Sequence, residues 1–511
     1  MHAALSPTTS PTAGAFRPHE PGRRRVPRAA AFRTFAALCL LLLTGCANKS
    51  LVRFEKIAAA AAKDEYLGAA ERIRKDQALY GSQSTLLYHM DLGILYHYAG
   101  MWDSSIVHLS KAVQIHDDLF ARSVTNEALS VVTNDNLRPY RGRPHEILLL
   151  HQFLAFDYLA KGDNDGARVE ARQAQIFLDE VKRKAGPKDW RDDGMFRYFS
   201  ALTYEAGREN DDAAIAYYLA VKAYKDGPVP LPGAVARQAR TALLAGGRDN
   251  DIKELGLSAD VAESKLALGG TGSAGDSEGE IVVVGHAGRG PTLDQTVFWG
   301  TWVRDGVMVI HYRNPQGEVM TQALPAPGLP AKEIEKAEKG RKTRSGTTFH
   351  IKFAMPALKS VSSRTRYFSV TGAGLGAPVR TDALTDLEPL LERNLAEAKA
   401  ATLTRTVIRV VLRTIASQQT KDALSGGNPL LNLLVNVGTD VLADQLEQAD
   451  ARCWFLLPRS VQVARIPVKP GTHSIEVVAR GEGGAALKTR TFENIEVKPG
   501  QKKFVFVPSL Q

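Results

Sequence analysis

Hydrophobic positions follow two different periods along this chain. From about residue 51 to residue 245 they recur at helical spacing, opening with an Ala-rich stretch from Lys56 to Arg74. A helix is also expected from Gly233 to Ala245, after the breaker Gly227-Pro228-Val229-Pro230. Beyond Gly269–Gly279 the period falls to two. It predicts strands at Glu280–Val284, Thr296–Val303, Val307–Tyr312, Thr348–Phe353 and Arg364–Val370. Helical patterns return at Leu387–Gln418 and Asn428–Gln448. Four more strands follow at Val461–Arg465, His473–Arg480, Leu487–Val497 and Lys502–Val507, with turns at Pro470-Gly471 and Pro499-Gly500. The predicted class is multidomain α+β, an N-terminal α-helical solenoid followed by a β-rich, sandwich-like C-terminal half with inserted helices. The expected parts are helices over 46–265, a flexible linker over 266–279, a β-rich domain over 280–375, a helical insertion over 385–450, and strands over 451–511 that complete a sandwich with 280–375.

The helical part repeats. Gly93, Tyr96, Ser105, Leu109 and Ala112 share their spacing with Ala155, Tyr158, Ala167, Ala171 and Ala174, and again with Ala201, Tyr204, Ala213, Tyr217 and Ala220. A breaker recurs between the paired helices as Ala99-Gly100, Lys161-Gly162 and Ala206-Gly207. Small residues let two antiparallel helices approach, and the recurring Tyr fills the space beside them. The pattern resembles the tetratricopeptide repeat, which stacks into a solenoid. The anchors are spaced wider than the family's 34 or so residues, so an insertion of about one further helix pair is expected near residues 118–145. The insertion ends in a polar loop from Asn134 to Glu146 whose Arg138, Tyr140, Arg141, Arg143, His145 and Glu146 are candidate partner-binding residues. The same arginines would equally serve as helix C-terminal caps in a plain connector.

The resemblance implies a concave face built from each first helix. Counting from the anchors, that face carries Leu87, Met90, Ile94 and His97, then Leu149, Gln152, Phe156 and Leu159, then Met195, Tyr198, Leu202 and Glu205. A groove this apolar is not left open to water. Either a partner's apolar segment or the chain's own later elements fill it.

Composition changes the picture mainly at the N-terminus. Arg23, Arg24, Arg25, Arg28 and Arg33 precede an apolar run from Phe35 to Leu43, and Thr44-Gly45-Cys46 closes it. That is a secretory signal over residues 1–45, too short to span a bilayer. Leu43-Thr44-Gly45-Cys46 resembles the lipobox of bacterial lipoproteins, which implies acylation of Cys46. Ala47 in place of Asp implies an outer-membrane anchor facing the periplasm. Residues 1–45 hold six arginines and one acid, so their removal takes the net charge from +10 to +5. No case for nucleic-acid binding survives that change. Cys39 leaves with the signal and Cys46 is acylated, so Cys453 is the one remaining thiol and no internal disulfide is possible. The apolar stretch Leu430–Leu442 is interrupted by Asn432, Asn436 and Asp440 and is too short for a membrane span.

Catalytic patterns are not met. His145-Glu146 and His151 lie about 120° apart around a helix, so they do not form a zinc-protease motif. Gly285–Gly290 lacks dinucleotide spacing and reads as a β-turn. Cys453 beside Trp454 reads as a small core residue. No metal and no cofactor is expected. Three segments, Tyr140–Glu146, Gly288-Arg289-Gly290-Pro291 and Asp450–Pro458 followed by Pro470–His473, together resemble an uncharacterised family of proteobacterial lipoproteins with tetratricopeptide-like helices and a β-rich C-terminal half. That resemblance implies an association with regulators of cell-wall synthases. The expected function is a lipid-anchored periplasmic adaptor for envelope protein partners. The alternative is a cell-wall (peptidoglycan) enzyme, or an activator of a cell-wall synthase, with its cleft between the two halves.

Overall fold

The computed structural model describes residues 46–123, 138–185, 193–227, 229–257, 278–303, 307–314, 317–325, 348–393, 395–396, 402–403, 406–407, 409–410 and 449–511. Residues Lys56–Gln511 form one compact unit. The signal segment and Leu430–Leu442 lie outside the described residues, as do most of the 266–279 linker and the 411–448 part of the helical insertion. Within that insertion, residues 387–393 are helical. Among the described residues no helix is long and apolar enough to cross a membrane.

The helical part holds α1 (Cys46–Ala62), α2 (Tyr66–Lys75), α3 (Thr85–Tyr98), α4 (Trp102–Ser123), α5 (Pro144–Lys161), α6 (Asn164–Ala185), α7 (Gly194–Ala206), α8 (Asn210–Asp226), α9 (Gly233–Ala245) and α10 (Asp249–Glu254). The repeated small residues lie where α3 packs on α4, α5 on α6 and α7 on α8. A β-carbon on Gly93 would stand 2.3 Å from the Leu109 side chain, and Ser105 Oγ donates to the Gly93 carbonyl at 2.8 Å. Only glycine permits that approach. Ala167, Ala171, Ala201, Ala213 and Ala220 are buried at the later crossings.

One helical expectation changes. The Lys56–Arg74 stretch is two helices, because Asp64 adopts φ +64°. Its carboxylate accepts from Tyr66 Oη and pairs with Lys488 and Arg490, and those partners hold it at the break. The extra helix pair expected near 118–145 falls mainly on residues 124–137, which lie outside the described residues. Residues 118–123 complete α4, and 138–143 carry no helix or strand.

Among the described residues, twelve strands form three four-stranded sheets. They are β1 (Gly279–Arg289), β2 (Thr292–Val303), β3 (Val307–Arg313), β4 (Val319–Pro325), β5 (Thr348–Lys359), β6 (Tyr367–Gly372), β7 (Val379–Arg380), β8 (Asp382–Ala383), β9 (Pro458–Val468), β10 (Gly471–Arg480), β11 (Ala486–Val497) and β12 (Lys502–Ser509). The orders are β12-β1-β9-β8, β11-β10-β6-β7 and β4-β3-β2-β5. The first two sheets share one apolar core, with Ile281, Val283, Ile466, Val505 and Val507 on one side and Phe368, Val370, Ile475 and Val477 on the other. Residues 279–289 and 458–509 are thus built into the same layers.

β1 runs parallel to β12 and antiparallel to β9, and it is buried on both faces. Its odd positions enter the two-sheet core, and its even positions turn to the helices. The Gly285–Gly290 segment is therefore not a free β-turn. Gly285 pairs with Val507 and Gln462, where a β-carbon would strike the Phe368 ring at 2.3 Å. Gly288, at φ +64°, marks the irregularity before Arg289 resumes pairing with Pro458.

Candidate functional site

The helices meet the first sheet through the even positions of β1 and their neighbours on β9 and β12. At the centre of this face, His97 on α3 and Asp157 on α5 bond at 2.6 Å with both side chains fully buried. Burial holds the His97 imidazole down to about 3 and lifts the Asp157 carboxyl well above the usual carboxylate range. Both shifts favour the neutral forms of the pair. His286, from β1, lies 5.1 Å from His97 between ring centroids, among Tyr98, Phe153, Phe156 and Phe506. Neither of its ring nitrogens has a hydrogen-bond partner. Burial, then the neighbouring His97, pushes its proton affinity well below the ordinary histidine value. Trp102 adds a fifth wall, 5.7 Å from Phe506.

A second contact is made of charges. Arg465 on β9 reaches Glu205 of α7 at 3.0 Å and Glu280 of β1 at 2.5 Å, while Lys502 of β12 bonds both acids at 3.1 and 3.0 Å. Tyr217 of α8 donates to Glu205 at 2.6 Å and accepts from Arg465. Burial alone would raise Glu205, but Arg465 and Lys502 overcome it and hold the carboxyl at about 2. The same cations lower Glu280. Two acids and two bases cancel, the arrangement that buried charge requires.

The third contact gathers the sequence motifs. Glu146 is buried and accepts from Tyr140 Oη, from the Arg143 amide at 2.8 Å and from the Trp454 amide at 2.8 Å. Arg452 donates to the Gln83 and Arg138 carbonyls, pairs with Asp450, and lies 5.2 Å above the Tyr140 ring. The Gly290 amide donates to the Leu457 carbonyl at 2.7 Å. Residues 140–146, 288–291 and 450–458 are therefore one network. Burial, with Glu146 beside it, pushes the Cys453 thiol up to about 12, so it is not a thiolate nucleophile.

These contacts locate the expected site residues. Tyr140, His145 and Glu146 are buried, Arg138 and Arg143 are half-buried, and Arg141 is exposed. Residues 134–137 of the same loop lie outside the described residues. In the groove, Leu87, Met90, Ile94, Phe156, Tyr198 and Leu202 are all buried. Phe156 packs on Phe506 at 5.2 Å, and Arg465 bears on Tyr198. The chain's own first sheet covers this face. Cys46 begins α1, and its side chain lies outside the described residues.

Sequence reading missed His286, Glu280, Arg465 and Lys502. One signal was present: Glu280 and Arg465 each interrupt or border an apolar strand, which marks a paired buried charge. Between the halves a cavity of about 680 Å³ is lined by Glu205, Arg208, Asp211, Gln238, Glu278 and Lys502.

No protein-family model matches the chain, and no curated protein matches it. Solved structures that resemble it include a MamA protein, 15% identical, covering 43% of this chain and 94% of that one at a TM-score of 0.27. Another, from Podosopora anserina with nearly identical TPR-like repeats, is 17% identical, covering 43% of this chain and 95% of that one at a TM-score of 0.30. Likeness at this level carries no weight for fold or function.

Proposed function

We propose that this protein is a lipid-anchored periplasmic scaffold, tethered to the outer membrane through Cys46. In this reading α3–α8 stack as a tetratricopeptide-like solenoid, the two sheets with a common core form a sandwich, and a partner protein of the envelope docks on the outer face of the helices. One observation carries it. Val107, Val169 and Ile215 occupy the same position in the three repeats, on α4, α6 and α8, and are 66%, 52% and 46% exposed. Single exposed apolar residues are ordinary. The same β-branched residue type, exposed at one register on three successive hairpins, fits a docking stripe. Cell-wall synthases are partners of the right compartment.

The alternative, a cell-wall enzyme with its cleft between the halves, has less support. Glu205 and Glu280, the acids at that cavity, are tied to Arg465 and Lys502 and are held ionised, which suits them poorly as proton donors.

The test is a triple variant, Val107→Glu, Val169→Glu and Ile215→Glu. Its melting should match the parent while crosslinking to envelope proteins falls sharply. Undiminished crosslinking by the folded variant would refute the docking stripe. Cys46→Ser tests the anchor separately: outer-membrane fractionation and the acyl mass should both be lost, and retention of either removes the lipid from the reading.

A further inference from the structure

The sheet β4-β3-β2-β5 stands outside the two-sheet core and builds an apolar cluster of its own. Phe298, Met308, Ile310, Phe353 and Met355 are buried there with Val407 and Val410, and the Phe298 and Phe353 rings stack at 5.2 Å. Beside this cluster the packing leaves a cavity of about 410 Å³, lined by Phe298, Ile310, Tyr312, Met355, Leu358 and Leu403 among others. The volume lies in the range of about 300–1,000 Å³ that small-molecule sites occupy, and the lining is mostly apolar, as in such sites.

One wall of the cavity is Arg143. Its Nε is buried and has no hydrogen-bond partner, and its Nη2 donates to the Asp450 carbonyl over a long 3.4 Å. Although burial opposes its charge, nearby Tyr140 and Glu146 raise its proton affinity, so the guanidinium stays cationic. As one wall of the cavity, the guanidinium offers forked donors suited to a planar anion. Arg313 also lines the cavity, and Glu392 is the one acid among its described lining residues.

We propose that this cavity binds a single-chain amphiphile with an anionic head. The acyl chain lies against Phe298, Ile310, Met355 and Leu358, and the carboxylate or phosphate meets Arg143. A free fatty acid and a lysophospholipid share that chemistry.

The experiment uses the full chain carrying Cys46→Ser, so that no covalently attached lipid competes. Palmitate and lysophosphatidylglycerol are titrated in separate calorimetric arms, with dodecyltrimethylammonium as the cationic control. Saturable binding of at least one anionic amphiphile, and none of the cation, is expected, and the arm that binds names the head group. Arg143→Gln and Ala357→Trp, the second filling the cavity from β5, should each weaken binding at least about tenfold, or about 1.4 kcal/mol. Ala357→Trp lies outside the Arg143 network and keeps the test decisive if Arg143→Gln lowers melting. No saturable binding of either anion, equal uptake of the cation, or undiminished binding by a folded variant overturns the proposal. So does binding to the Cys46→Ser chain that the acylated chain lacks, since the protein's own lipid is then the occupant.

Discussion

Two of the contacts that fasten the first sheet to the helices have opposite chemistry. Around His97, Asp157 and His286 the contact is neutral and aromatic, with three imidazole nitrogens, both of His286 and Nε2 of His97, that lack a hydrogen-bond partner. Around Arg465 it is four charges that cancel within bonding distance of one another. The neutral contact depends on shape and tolerates a replacement of similar volume. The charged contact depends on stoichiometry, because removing any one member leaves another charge buried and unpaired. The two should therefore fail differently.

Arg465→Met is the harshest way to probe that difference. It leaves Glu205 and Glu280 facing each other with Lys502 alone, and a loss of about 3–5 kcal/mol is expected in denaturant unfolding. Adding Glu280→Gln should recover part of it, since Lys502 and Glu205 then match one to one. If the double variant is no more stable than Arg465→Met, charge cancellation is not what fixes this contact.

Ala171→Leu tests the helical crossing beneath both contacts. Ala171 is buried against α5 in the second repeat, and overpacking there should cost about 1–3 kcal/mol. Thermal melting equal to the parent's would show that the crossing has room to spare.

Glu146→Gln affects the motif network, which is neither purely aromatic nor purely ionic. The amide retains an acceptor for the Trp454 amide but brings an N–H toward the Tyr140 hydroxyl or the Arg143 amide. A loss of about 1–3 kcal/mol is expected, with Cys453 becoming more reactive to thiol reagents as the network loosens. A stable variant with an inert thiol would contradict the assignment of Glu146 as the common acceptor.

The smallest change in stability and the clearest in pH dependence belongs to His286→Phe. In the folded chain His286 stays neutral far below its ordinary value, whereas in the unfolded chain it takes a proton below about pH 6.5. The folded state then binds fewer protons, so this group's contribution is complete above pH 6.5 and is lost as the pH falls. The slope is up to about 1.4 kcal/mol per pH unit. A phenylalanine fits the same aromatic surroundings and removes two unpartnered nitrogens. Melting near neutral pH should hold or rise, and the acid slope should shrink by one proton. An unchanged slope between pH 6.5 and 5 would place His286 in contact with solvent.

Much of the local structure was legible in the residues themselves. α9 spans Gly233–Ala245 as its periodicity indicates, and the runs at Glu280–Val284, Val461–Arg465 and Leu487–Val497 lie inside β1, β9 and β11. Gly93, Ser105 and Leu109 marked a helix crossing because close approach demands small residues at fixed spacing. β4 was missed because Val319–Pro325 has little apolar alternation to detect. The candidate loop was found, but its inward use was not. Nothing in Tyr140–Glu146 alone reveals that Trp454 and Arg452 close over it from more than 300 residues away.

What the sequence determined by itself was whatever depends on neighbours a few residues apart: helix period, strand alternation, the repeat and its small anchor residues. Only the tertiary structure decided that β1 lies between a parallel β12 and an antiparallel β9, that its odd side chains enter one core and its even ones another, and that Glu280 meets an Arg 185 residues distant. A strand buried on both faces shows an almost unbroken apolar run, so its pattern cannot say which face meets which partner. That choice follows from strand order, and strand order is set by the packing of the whole unit.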